Sequence, residues 1–248
     1  MSEPPTPSAA RHLGPLESVV TKWFTREAHV REVRTVADGF RLVTLGGQAL
    51  EGVAWVPGQK VQLMLGGWVQ RTYTPLSWDA ARGTMQLLAY VHGEFPGSDW
   101  ARALAVGQRC AVFGPRGSID LTALARPGLV FGDETSIGLA HALRATATGA
   151  AGVEVVLEVT SLDAARAALQ AVDVQGAHCI ERRADDAHLT DVEAVVRRLR
   201  EGHAVEGWVL TGKATSIQAM TKLLRQLGAP RARIQSKAYW APGKTGLD

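Results

Sequence analysis

The chain has 248 residues, 46% hydrophobic and 21% charged, with a formal net charge of +3. At roughly 150 residues per domain this length favours two domains, and so mild a charge gives no reason to expect nucleic acid or a membrane surface as partner. The first ten residues, MSEPPTPSAA, lack the basic start and apolar stretch of a secretory signal, and no apolar run approaches the roughly 18 residues of a membrane helix, so a soluble, cytoplasmic protein without membrane insertion is expected.

Residues 1–15 are polar and proline-rich and read as a disordered arm, and Leu16–Thr25 has the spacing of one short helix. The arm is expected to extend to about residue 27. From His29 the pattern changes to short strands. Val30–Val33 and Phe40–Leu45 flank Asp38-Gly39, a strong hairpin dipeptide. Lys60–Leu65, Gln70–Leu76, Thr84–Val91 and Arg109–Phe113 follow, with Ala81–Gly83 as a turn. Six short strands predict an antiparallel barrel over residues 28–127. After Arg126-Pro127-Gly128, a natural linker, strands and helices alternate. The strands are Leu129–Phe131, Val153–Thr160, Cys179–Arg182 and Gly207–Thr211; the helices are Ile137–Thr146, Leu162–Ala171, Leu189–Glu201 and Ser216–Gly228. This predicts a parallel-sheet α/β domain over 128–248, of the nucleotide-binding kind.

Two cysteines, Cys110 and Cys179, lie in short apolar stretches and read as buried and inert. They are too few for an iron–sulfur cluster, which takes about four thiolates, so any redox carrier here is a bound organic cofactor. The sharpest local motif is Arg71-Thr72-Tyr73-Thr74-Pro75-Leu76. Alternation along a strand turns Arg71 and Tyr73 to one side, where a guanidinium can clamp a phosphate beside an aromatic face. A strand edge with an exposed arginine and a half-buried tyrosine explains the same residues. In His92-Gly-Glu-Phe-Pro-Gly97-Ser98-Asp-Trp100-Ala a glycine-containing loop enters a short helix with Ser98 as its N-cap. Free N–H groups at such a start suit a pyrophosphate, although a routine capped turn is the simpler reading. Gly132-Asp133-Glu134-Thr135-Ser136 follows the first strand of the second half without G-x-G-x-x-G spacing, and Asp133 and Glu134 read as ordinary first-turn acids.

In this order these segments resemble the siderophore-interacting protein family, a branch of the ferredoxin-reductase-like flavoproteins. The marks are Arg71-Thr-Tyr-Thr-Pro-Leu-Ser-Trp-Asp79, His92-Gly with Gly97-Ser-Asp-Trp-Ala101, Gly114-Pro115, Gly132-Asp-Glu-Thr135 and Tyr239-Trp240. The resemblance implies bound FAD and reduction of a ferric siderophore, with iron released as Fe(II) and electrons drawn from NAD(P)H or a ferredoxin-like partner. Carried over by position, Arg71 would hold the pyrophosphate, Tyr73 would pack on the isoalloxazine, Thr74 would meet its N5 side, and Thr72 between them would also belong to the cofactor site. Tyr90, Val91 and His92 would line the adenine or ribitol side. Gly97, Ser98 and Trp100 would complete the phosphate seat, and Thr135 would approach from the second domain. The chain departs from the family pattern at Glu94-Phe95-Pro96-Gly97, where Gly-Pro is usual, and at Thr211-Gly212-Lys213, where many members have Ala-Gly-Glu. It also ends soon after Trp240, without the C-terminal helix of some members. Lys60, Lys213, Lys237 and Lys244, with Arg231 and Arg233, form a candidate surface for an anionic ferric chelate, or else an ordinary solvated basic surface. A reductase serving another acceptor and a non-catalytic flavin-binding module remain as alternatives.

Overall fold

A computed structural model describes residues 25–66, 69–121, 124, 128–146, 152–202 and 205–244. Its first half is one antiparallel sheet of seven strands: β1 (Thr25–Ala37), β2 (Phe40–Gly46), β3 (Lys60–Gly66), β4 (Val69–Tyr73), β5 (Ser77–Asp79), β6 (Thr84–Tyr90) and β7 (Arg109–Arg116). The order is β4-β3-β7-β1-β2-β6-β5. The two outermost strands, β4 and β5, are joined by only Thr74, Pro75 and Leu76, so the sheet must curl back on itself as a barrel. The expected strand Gln70–Leu76 ends at Tyr73, and the seventh strand, Ser77–Asp79, lies beyond it where no strand is expected. Pro75 cannot donate to a ladder, and the Leu76 amide turns to the Gln86 carbonyl at 2.8 Å instead. Gly39, with φ near +70°, makes the β1–β2 turn as its dipeptide predicts.

Strand β1 starts at Thr25, inside the segments expected as helix and arm; the remainder of both, residues 1–24, lies outside the described residues, as do Arg126 and Pro127 of the expected linker. Helix α1 (Pro96–Ala103) crosses the barrel between β6 and β7.

The second half alternates strand and helix as expected: β8 (Gly128–Asp133), α2 (Ile137–Thr146), β9 (Val153–Val159), α3 (Leu162–Ala171), β10 (His178–Glu181), α4 (Leu189–Gly202), β11 (Gly207–Lys213), α5 (Ala214–Gln226) and β12 (Ile234–Trp240). The parallel order β10-β9-β8-β11-β12 reverses direction at β8. Ligands of such sheets bind outside the carboxyl ends at that reversal. Every residue of β8 is buried, and the strand serves two cores by alternation: Leu129 and Phe131 pack towards α4 and α5, Val130 towards α2.

The barrel has its own interior, built from residues such as Val30, Leu45, Leu63 and Leu87. A further core joins the halves, with Phe40, Leu42 and Leu76 of the barrel against Ile137 and Ala140 of α2 and Val155 and Leu157 of β9. Each of the larger of these side chains contributes about 1.5–3 kcal/mol on full burial, so the junction that carries the candidate site is held by packing. No helix among the described residues is long and apolar enough to cross a membrane.

Candidate active site

Arg71 and Tyr73 do face the same side of β4, and α1 covers that side. A Cβ added to Gly97 would stand 3.1 Å from Arg71 Cγ, so the glycine is what lets the arginine lie against the start of the helix. Tyr73 meets Trp100 of the same helix with ring centroids 5.9 Å apart. Arg71 donates to the Gln70 carbonyl at 2.7 Å, and no described carboxylate pairs with it, so guanidinium N–H groups remain for a ligand. Phe95 occupies the N-cap of α1 and offers no side-chain cap.

Ser98 is therefore not the N-cap expected of it. It lies inside the first turn, buried, and its hydroxyl donates to the His92 carbonyl at 2.7 Å while accepting from the His92 amide at 3.0 Å. It shapes the loop, and its own backbone amide is left at the helix start. A cation, an uncapped helix start and an aromatic flank together fit a flavin dinucleotide: pyrophosphate on the first two, a flat ring against the third.

Tyr90 and His92 stack at 4.7 Å, with Phe40 and Phe95 on either side at 4.9 and 5.6 Å from Tyr90 and His92 respectively. Val91 between them turns inwards, its amide on the Gly39 carbonyl at 2.7 Å. The Tyr90 hydroxyl donates to Thr160 Oγ1 at the end of β9, 3.2 Å away. Burial, with Glu134 second, pushes this phenol up to about 12. Thr72 points away from Arg71, opposite Gln62 of β3.

Thr74 lies at the junction itself. Its carbonyl would be 2.8 Å from a Cβ on Gly138 in the first turn of α2, and its side chain is hydrogen-bonded to the Tyr239 hydroxyl, which also meets Thr211 of β11. Burial and the nearby Asp133 carboxylate hold the Tyr239 phenol well above its usual range.

Asp133 and Glu134 are not ordinary first-turn acids; both are buried. Asp133 Oδ1 accepts from the Thr135 amide at 2.9 Å and from the Thr135 hydroxyl, and Oδ2 accepts from the Trp240 indole at 2.7 Å. Glu134 accepts from the Thr160 amide at 2.6 Å and from Arg182 at 2.9 and 3.0 Å. Glu158 on β9, fully buried, accepts from Ser216 at 3.0 Å and sits 2.7 Å from His188 Nε2. The Arg183 amide donates to His188 Nδ1 at 3.3 Å, so the ring carries its proton on Nε2 and gives it to Glu158. One guanidinium, Arg182, thus serves Glu134 directly and lies within 4 Å of Asp133 and Glu158. Burial pushes the Asp133 carboxyl up, against the pull of Thr135 and Arg182.

Sequence reasoning missed Arg182, His188 and Glu158. One signal was present: Glu158 interrupts the apolar run Val153–Thr160 of a strand buried on both faces, where a charge must find partners. Among the lysines singled out, Lys213 is not free: its ammonium pairs with Asp186 at 2.5 Å. Lys60 stands on β3 opposite Arg116, Lys237 on β12 opposite Thr211, and Lys244 is exposed beyond β12. Cys110 is buried as expected, but Cys179 is only half-buried.

An antiparallel barrel joined to a doubly wound parallel sheet is the fold of the ferredoxin-reductase-like flavoproteins. Residues 67–119 match the siderophore-interacting FAD-binding domain and residues 125–243 match the siderophore-interacting protein model, so the chain belongs to the siderophore-interacting protein family. No protein of curated function matches it in sequence. Among solved structures it is similar to a siderophore utilization protein from T. fusca, at 21% identity and TM-score 0.69, over 90% of this chain and 95% of that one. The siderophore-interacting protein from Acinetobacter baumannii gives 14% identity and TM-score 0.72, over 88% and 91%. A ferredoxin reductase of carbazole 1,9a-dioxygenase gives 20% identity and TM-score 0.67, over 87% and 69%.

Proposed function

We propose that the protein is an FAD-dependent ferric-siderophore reductase that releases iron as Fe(II). The observation that carries the reading is Arg71, lodged through Gly97 against the uncapped start of α1, with Tyr73 beside it and Thr74 at the sheet junction. Bound FAD would supply the electron transfer, which no side chain here can perform. The chain's own residues bind and enclose it. Arg71 and the α1 amides hold the pyrophosphate, Tyr73 shields the ring, and Thr74 with Tyr239 fixes the junction. Tyr90, Val91 and His92 form the remaining wall, and Thr135 stands exposed just beyond the carboxyl end of the central strand β8. Lys237 and Lys244 offer positive charge to an anionic ferric chelate.

For the donor, one observation favours a ferredoxin-like partner over NAD(P)H. The amides of Thr135 and Thr160, at the ends of β8 and β9 where a nucleotide phosphate would look for donors, already serve Asp133 and Glu134.

The test is an absorption spectrum of the purified protein, then anaerobic addition of NADH, NADPH or reduced ferredoxin, then a ferric siderophore with a coloured Fe(II) trap. Flavin bands that bleach with a donor and return on chelate addition, with Fe(II) formed, support the proposal. A colourless protein that takes up no FAD overturns it. Bleaching without reoxidation by the chelate would assign another acceptor, and no bleaching would leave a flavin-binding module.

A further inference from the structure

Positive charge in this chain has an uneven address. Residues 1–213 carry 23 acids against 21 bases, whereas Ala214–Leu247 holds six bases and no Asp or Glu. The six are Lys222, Arg225, Arg231, Arg233, Lys237 and Lys244. The fold gathers this stretch at one edge of the molecule. Lys222 and Arg225 stand exposed on α5, Arg231 and Arg233 in the single turn before β12, Lys237 on β12 and Lys244 just beyond it. None of the six forms an ion pair or side-chain hydrogen bond among the described residues, although lysine and arginine pair with carboxylates at nine places elsewhere among them. Cations left unpaired together repel one another, so their concentration has a cost that scattered pairs would avoid.

Strand β12 is the last strand of the parallel sheet, paired only with β11. Its outer N–H and C=O groups are therefore unpaired by any described strand. An open groove of about 600 Å³ runs beside it, lined by Ile217, Gln218, Thr221, Lys222, Arg225 and Ser236 with no acid.

We infer that this edge is a docking surface for an acidic, extended polypeptide segment of a partner, which adds to β12 as a further strand. The row of open backbone groups selects a peptide over other polyanions, because neither nucleic acid nor a lipid headgroup can complete a ladder. The six cations select an acidic sequence and steer its approach. They also disfavour a second copy of the same edge, since pairing β12 with β12 would bring two such clusters together. The inference does not require bound flavin, although Lys237 and Lys244 belong both to this edge and to the surface proposed for the ferric chelate.

The test uses the full chain with a labelled peptide of about ten residues alternating Glu and Val, its Lys–Val counterpart, a single-stranded oligonucleotide of similar length and vesicles containing phosphatidylserine. Fluorescence anisotropy or co-sedimentation reads binding, and hydrogen exchange reads the amides of 234–240. The expected result is selective binding of the acidic peptide, weakened about tenfold or more as ionic strength rises towards 0.5 M. Residues 234–240 gain protection in the complex. Lys222→Glu with Arg225→Glu, and separately Arg231→Glu with Arg233→Glu, each weaken binding by about tenfold, while the melting temperature and any flavin spectrum stay as in the parent. Equal or tighter binding of the oligonucleotide or vesicles overturns the inference. So does peptide binding that leaves exchange at 234–240 unchanged, or that survives both pairs of reversals.

Discussion

The indole N–H of Trp240, the last residue of β12, donates to Asp133 Oδ2 at the end of β8, 2.7 Å away and 107 residues earlier in the chain. Between the two strands lies β11, whose Gly212 passes so close that an added Cβ would stand 2.4 Å from the same oxygen. Three strand ends therefore close around one carboxylate at the point where the sheet order reverses.

Removing that donor should be felt in stability. Trp240→Phe leaves a buried carboxylate oxygen short of a partner, at a cost of about 1–3 kcal/mol. The pH dependence has a definite sign. Burial raises the Asp133 carboxyl in the folded state, so the native protein holds a proton more readily than the unfolded chain. The cost of its charge is then present at neutral pH and falls away as pH drops through the folded value. Without Trp240 the carboxyl rises further, and the deficit of the variant should shrink on mild acidification. Urea melts of both proteins at pH 7 and near pH 5.5 measure this; a deficit independent of pH would assign Trp240 a packing role only.

Arg71→Ala should weaken FAD by about 1.5–3 kcal/mol, or roughly 10- to 150-fold, because a charged phosphate contact is lost. Arg71→Lys restores the charge without the fork and should recover only part of it. Flavin fluorescence quenching on titration reads the affinity, and equal affinities for all three proteins would place the phosphate elsewhere.

His188 and Glu158 form a buried pair, at 0% and 1% side-chain exposure. His188→Ala takes one hydrogen bond from the buried Glu158 carboxylate and leaves it with Ser216 and the more distant Arg182, a cost of about 1.5–3 kcal/mol. Adding Glu158→Gln removes the stranded charge and should return part of that loss. The urea midpoints of the single and double variants decide it.

Burial pushes the Cys110 thiol up to about 11 and moves Cys179 in the same direction. At pH 8 each holds less thiolate than a free cysteine, and thiolate is the reacting form. A maleimide or disulfide reagent should therefore label the native protein far more slowly than the urea-unfolded chain, with Cys179 reacting ahead of the fully buried Cys110.

Local pattern carried much of this protein. The bounds of α2 and α3, Ile137–Thr146 and Leu162–Ala171, follow directly from helical spacing, and the Asp38-Gly39 turn from its dipeptide. Alternation alone placed Arg71 and Tyr73 on one side of their strand. These signals are legible because they depend on residues a few positions apart. The seventh strand was not, since only the curl of the barrel makes Ser77–Asp79 a separate edge. Ser98 was misplaced by one helical turn, because a serine before a helix and a serine within its first turn look alike until Phe95 and Pro96 are seen to start it.

What only the tertiary structure decided is which charges are buried and which stand free. Asp133, Glu134, Glu158 and Arg182 lie on three separate strand ends or the residues just after them, and a carboxylate can leave water only where distant donors converge on it. Lys213 is paired for the same reason: the fold brings Asp186 to it across 27 residues. The acid-free run from Ala214 to Leu247 is plain in the sequence, but only the strand order shows that it falls on the open edge of a sheet. Sequence sets the charge and the period of each element; the convergence of remote strand ends sets what those charges can reach.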